Sequence, residues 1–165
     1  MAALEAGKQA PDISAPLIRG GSFRLAEARK HGPVLAAFFK VNCPVCQSAF
    51  PYLQRIHSAY GNHKFAVVGV SQNDESETTA FMRQYGVTFP VALDELKKYP
   101  ASNAYGLTNV PSLFLISPEG KVTMNSVGWS KADFERLNRE AAKATGAAVK
   151  PLFNAGDDVP EFKPG

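Results

Sequence analysis

The chain reads as an α/β domain, a central mixed β-sheet flanked by helices. Three observations predict it. Short apolar runs suited to buried strands occur at residues 33–39, 64–71 and 110–116. Between the first two, Ala49, Phe50, Leu53, Ile56 and Tyr60 recur at spacings of three and four, the period of an amphipathic helix. After the third come a turn, a further strand and a last helical stretch, so helical crossovers give way to an antiparallel hairpin.

Composition narrows the class. A chain of 165 residues, 45% apolar and 20% charged, fits one domain with its own core. A net charge of +3 and no basic run longer than a pair such as Lys97-Lys98 leave no footprint for nucleic acid. The apolar runs are far too short to span a membrane. Residues 1–8 lack the basic start and apolar core of a secretory leader. A monomer in the cytoplasm is therefore expected, without nucleic-acid or membrane partners. The alternative is a periplasmic or secreted mature form whose leader has been removed.

Taken in order, residues 13–17 and 22–25 form an N-terminal hairpin around Gly20-Gly21. A helical turn over residues 25–31 precedes the first strong strand. The helix after that strand either stops at Phe50 or passes through Pro51 with a kink; the apolar stripe favours continuation to Tyr60 and an end at Gly61-Asn62. The second strand spans residues 64–71. Asp74 and Ser76 are the possible caps of a helix that closes on Gly86. A short strand lies around Pro90, and a helix broken at Pro100 covers residues 96–105. Residues 110–116 and 121–127 pair across Ser117-Pro118-Glu119-Gly120, and Ser130 caps a helix running to Gly146. The domain is thus set at residues 1–146. Residues 147–165 form an extended tail, either docked by Phe153 and Phe162 or loose.

Both cysteines of the chain, Cys43 and Cys46, lie at the seam between the first strong strand and its helix. A Cys-X-X-Cys in this position reads as a dithiol redox site. Pro44 suits the first helical position because its missing N–H would have no partner there. Cys43 then falls at the N-cap, where its sulfur can accept from the N–H groups of Val45 and Cys46. The helix dipole should favour its thiolate. Cys46 shares the inward face with Ala49 and Phe50. Cys43 is therefore the expected nucleophile and Cys46 the shielded resolving thiol. A structural zinc site needs about four ligands; one cysteine pair and the scattered His31, His57 and His63 do not supply them, so no metal and no cofactor beyond the dithiol is expected.

With these residues in place, the chain resembles the thioredoxin-like fold. More closely, it resembles the redoxin branch that includes TlpA-like thiol-disulfide oxidoreductases and the alkyl-hydroperoxide-reductase/thiol-specific-antioxidant proteins. The likeness covers residues 7–146. It rests on Gly7-Lys8-Gln9-Ala10-Pro11-Asp12, on Cys43-Pro44-Val45-Cys46, on Pro51 five residues after the second cysteine, and on Asn109-Val110-Pro111-Ser112. It implies that Pro111 is the family's cis-proline facing the cysteines, and that the Val110 main chain pairs with an extended substrate segment. The chain departs from the pattern at three positions. Ala37 stands where thioredoxins carry a buried acid, Asn42 replaces their tryptophan, and Val45 replaces the motif glutamate of some TlpA-like proteins. No evident carboxylate is left to take the Cys46 proton. Lys40, Asn42 and Pro44 are the neighbours able to modulate the thiolate, although Lys40 reads first as a solvated side chain. Asp94 and Glu95, after the short strand, could approach the site. Trp129 reads as core or edge packing, and His57 as a helix residue that ligates nothing.

The function expected is that of a thiol-disulfide oxidoreductase acting on protein or small-molecule disulfides. It would be recharged by an external electron donor, a thioredoxin-reductase-like or thiol system. Two alternatives stand beside it. In a peroxiredoxin-like thiol peroxidase Cys46 would be peroxidatic, but Cys43 then occupies the place of the family's Thr and Phe39 that of its Pro. In a redox-inert binding module the fold would serve as scaffold, against which both intact cysteines argue.

Overall fold

The computed structural model describes residues 3–165; Met1 and Ala2, the first residues of the segment read for a leader, lie outside the described residues. Strands β1 (Ser14–Pro16) and β2 (Ser22–Arg24) form the N-terminal hairpin, with Ser14 opposite Arg24, and α1 (Leu25–Ala28) follows. Then come β3 (Val34–Phe39), α2 (Pro44–Tyr60), β4 (Ala66–Ser71), α3 (Glu75–Tyr85) and β5 (Val91–Leu93). The chain continues through α4 (Pro100–Ala104), β6 (Ser112–Ile116), β7 (Val122–Val127), β8 (Trp129–Ser130), α5 (Lys131–Thr145) and β9 (Phe162–Lys163).

Five strands make the central sheet in the order β5-β4-β3-β6-β7. The β3–β4 and β4–β5 pairs are parallel, joined through α2 and α3; the β3–β6 and β6–β7 pairs are antiparallel. Strand β3 is buried along its whole length, which is why it reads as a continuous apolar run. Its side chains alternate between two cores. Leu35, Ala37 and Phe39 join the cluster built with α2, α3 and α5, while Val34, Ala36 and Phe38 join Ile13, Phe23 and Tyr105 on the hairpin side. Phe50 of α2 sits among Phe39, Phe81 and Phe89, with ring centroids 4.3, 5.3 and 5.8 Å away.

The helix through Pro51 continues to Tyr60, because Leu53, Ile56 and Tyr60 are buried on the same face as Cys46, Ala49 and Phe50. Asp74, rather than Ser76, caps α3, accepting from the Glu77 N–H at 2.8 Å. Two boundaries differ from expectation. Strand β5 begins after Pro90 rather than spanning it, as the missing proline N–H would have it. Residues 96–99 are not helical: Lys97 and Tyr99 adopt positive φ of 72° and 44°, and Pro100 opens α4 instead of interrupting a longer helix. A proline disfavours the α-region in the residue before it yet suits a first turn.

Residues 147–165 lie along the body. Leu152 is buried, and the Phe153 ring stands 5.1 Å from that of Tyr52. Arg55 donates to the Leu152 carbonyl at 3.1 Å and pairs with Asp157 at 2.6 Å. Trp129 is buried against Tyr52 and Phe134, and its indole N–H donates to the Pro160 carbonyl at 2.6 Å. Strand β9 then pairs with β8. Phe162 itself is 62% exposed, so this stretch is held by its main chain and not by that ring.

Truncating Phe50 to alanine removes the centre of the aromatic cluster and should cost about 3–5 kcal/mol of stability, read from urea unfolding. The tail tether titrates. The Arg55 guanidinium, by hydrogen bond and charge, holds the Asp157 carboxyl below the usual carboxylate range. Its contribution is complete above the ordinary value of about 3.9 and is lost as pH falls through the depressed one. Trp129 emission should therefore keep its native value through pH 4 and change below it; in Asp157→Asn that acid step should vanish, with a looser tail already at neutral pH.

Candidate active site

The dithiol is built by where β3 ends and α2 begins. Phe39 is the last residue of β3, and Pro44 is the first of α2. Cys43 has extended backbone angles at the N-cap, and its Sγ accepts from the Cys46 N–H at 3.2 Å. Of the two N–H groups expected to reach the sulfur, that of Cys46 does so. Cys43 is half-buried, whereas Cys46 is wholly enclosed among Ala49, Phe50 and Leu53 of the core; both are free thiols. Burial, reinforced by the side-chain hydrogen bond with Cys43, pushes the Cys46 thiol well above the usual cysteine range, against a smaller lowering by a backbone hydrogen bond at Lys40.

Opposite stands the loop before β6. The Val110–Pro111 peptide bond is cis. The Cys43 thiol donates to the Val110 carbonyl at 3.5 Å, which brings the main chain of this loop beside the exposed sulfur. Ser112 Oγ donates to the Asn109 carbonyl at 2.6 Å, and the Gly128 N–H donates to the Pro111 carbonyl at 2.8 Å, fixing the loop from both sides. Cys43, Cys46, Val110 and Pro111 are thus brought together.

The other expected neighbours divide. Pro44 and Asn42 are exposed at the motif, and Lys40 points to solvent while its carbonyl accepts from the Cys43 N–H at 3.4 Å. Asp94 is fully occupied elsewhere. Its buried carboxylate accepts from the Ala101 and Ser102 N–H groups and from Ser102 Oγ at 3.0, 2.8 and 2.6 Å, satisfying the start of α4. Glu95 is exposed and salt-bridged to Lys98. His57 is half-buried on α2, its ring 5.9 Å from that of Phe89. Ala37 lies in the core of β3, opposite Gly69 and Leu113. Among the described residues, no group of three or more His, Cys, Asp or Glu is placed to hold a metal ion, and no helix is long and apolar enough to cross a membrane.

Two residues that hold the motif escaped the sequence reading. Asn73 Oδ1 accepts from the Val41 N–H at 3.0 Å, and Gln47 Nε2 donates to the Val41 carbonyl at 2.9 Å. Together they pin the residue that leads into Cys43. The available signal was topological. Asn73 follows β4, the parallel neighbour of β3, and the carboxyl ends of adjacent parallel strands are where site residues gather.

A mixed sheet whose central strand feeds a helix starting on Cys-X-X-Cys, with a cis-proline loop against the first sulfur, defines the class: a thioredoxin-like thiol-disulfide oxidoreductase. The sequence model of the AhpC/TSA family matches residues 6–125, and the chain belongs to that family. Among curated proteins it is similar to the thiol-disulfide oxidoreductase ResA of Bacillus subtilis, 31% identical over 117 residues, 70% of this chain and 64% of that protein. ResA of Bacillus anthracis is 28% identical over 127 residues, 76% of this chain and 71% of that one. A crystal structure from Chlorobium tepidum, provisionally named thiol:disulfide interchange protein DsbE, is 30% identical with a TM-score of 0.75, over 87% of this chain and 99% of that one.

At neutral pH a limiting amount of iodoacetamide should label Cys43 well before Cys46, since burial both hides the second sulfur and keeps it protonated; peptide mass mapping reads the order. Cys46 labelled first would contradict the enclosure described here.

Proposed function

We propose that Cys43 is the attacking thiol and Cys46 the resolving thiol of this oxidoreductase, with the Val110–Pro111 loop as the wall along which substrate lies. The observation that carries the reading is the pairing of an accessible sulfur at the N-terminus of α2, 3.2 Å from the Cys46 N–H, with a second sulfur enclosed one helical turn behind it.

In the reductive direction the Cys43 thiolate attacks one sulfur of a substrate disulfide. The substrate S–S bond breaks, a Cys43–substrate disulfide forms, and the leaving thiolate takes a proton from solvent. Cys46 attacks Cys43 Sγ, and its proton passes to the departing substrate sulfur. The mixed disulfide breaks, the Cys43–Cys46 disulfide forms, and the second substrate thiol departs, so that two electrons have passed to substrate. At the helix N-terminus the Cys46 N–H reaches Cys43 Sγ at 3.2 Å, a contact that serves this sulfur both as nucleophile and as leaving group. Pro44 has no N–H to give the cap, where the Cys46 N–H reaches the sulfur, and Lys40 and Asn42 are the exposed side chains beside the motif that modulate the thiolate.

The substrate is a protein or small-molecule disulfide, and the Val110 main chain, just before β6, offers an extended polypeptide backbone groups to pair with. The protein works as a monomer in the cytoplasm, where an external thiol donor of the thioredoxin-reductase-like or low-molecular-weight kind returns the two electrons and makes it a reductase. No resident cofactor takes part.

Cys43→Ser should abolish reduction of insulin disulfides, whereas Cys46→Ser should accumulate a covalent adduct with substrate, seen on a non-reducing gel. An adduct in Cys43→Ser but not in Cys46→Ser would reverse the roles. Rapid peroxide consumption that survives Cys43→Ser and is lost in Cys46→Ser would instead assign a peroxidase.

A further inference from the structure

The end of the tail reaches the loop that faces the dithiol. After the Trp129–Pro160 bond, the Lys131 N–H donates to the Glu161 carbonyl at 2.9 Å, and β9 adds to β8. The chain then runs on to Gly165, whose carbonyl accepts from Asn109 Nδ2 at 3.0 Å. Gly165 lies so close to the loop that a Cβ built on it would stand 2.5 Å from the Val110 carbonyl oxygen. That same oxygen accepts from the Cys43 thiol. The approach is permitted from the other side by Gly128, where a Cβ would strike the Lys163 carbonyl and stand 2.8 Å from the Gly165 nitrogen. On the flank of α2 the tail leaves a cleft of about 490 Å³, bounded by Val45 of the motif, Tyr52, Trp129, Val159 and Lys163.

We propose that residues 161–165 are a specificity strap: main chain of the protein's own tail occupies the side of Asn109-Val110 that an extended polypeptide substrate would use. The proposal rests on the reading of Val110 as the substrate-pairing segment. A polypeptide disulfide must displace Pro164-Gly165 to lie along the loop, which raises its KM. A small disulfide reaches the half-exposed Cys43 sulfur without that displacement. The strap is suited to such exchange because residues 161–165 are solvent-exposed on their outer side and held by main-chain bonds, while Leu152 and Arg55–Asp157 anchor the tail further back.

The test compares reduction of insulin and of oxidised glutathione by the full chain, by a variant lacking residues 161–165, and by Gly165→Val, whose side chain has no room against Val110. Far-ultraviolet circular dichroism and a cooperative urea transition report that each variant is folded, and the point variant decides should the deletion not fold. Both variants should lower KM for insulin several-fold with little change in kcat, and leave glutathione kinetics as they are. An insulin KM that does not fall, or insulin and glutathione rates that move together, overturns the strap. A wild-type chain that reduces neither disulfide contradicts the dithiol reading and the strap with it; one that reduces both, with no response to the variants, contradicts the strap alone.

Discussion

The burial of β3 on both faces is the constraint on which the rest depends. A strand with no solvent face must be covered by two layers, and its side chains serve each in turn: Leu35, Ala37 and Phe39 toward α2, α3 and α5, Val34, Ala36 and Phe38 toward the N-terminal hairpin and Tyr105. Where it stops, the chain leaves the core and turns into α2. The parallel pairing of β3 with β4 requires such a crossover, and the apolar face of α2 settles how the helix lies on the sheet. Cys43 therefore falls at the one point where strand, turn and helix N-terminus meet. Its chemistry follows from that address: a sulfur outside the core, held at an N-cap, with Cys46 one turn inward.

Burial separates the surroundings of two chemically identical thiols. Enclosure penalises the Cys46 thiolate, while Cys43 stands half-buried at the N-cap with its sulfur accepting from the Cys46 N–H. Ala37, in the core, and Val45, at the motif, bring no carboxylate to the cysteines, and the Asp94 carboxylate is held by three donors at the start of α4. What stands beside the Cys43 sulfur is main chain instead, the carbonyl of Val110 at 3.5 Å.

Much of this was legible in the sequence. Short apolar runs and a 3.6-residue period placed the sheet and its covering helices, the apolar stripe carried α2 past Pro51, and a cysteine pair at a strand–helix seam marked the site. Three things were not. The residues before Pro100 look helical in composition, yet the backbone restriction imposed by the proline outweighs that preference. Asn73 acts through a contact made only when β3 and β4 lie side by side, and Gln47 through one made only when the turn after β3 folds against the start of α2. The tail shows no period because, beside Leu152, Phe153 and Asp157, most of its bonds are made by its main chain, which sequence patterns do not record; Phe153 was a visible anchor, but Phe162 holds its place through β9 and not through its ring.

The most direct measurement of the central claim is a redox titration of the full chain in glutathione buffers, with free thiols counted by alkylation and mass spectrometry. One reversible two-electron transition should appear in which Cys43 and Cys46 are lost and regained together, and it should be absent from either single serine variant. Cysteines that titrate separately, or that form no reversible bond with each other, would contradict it.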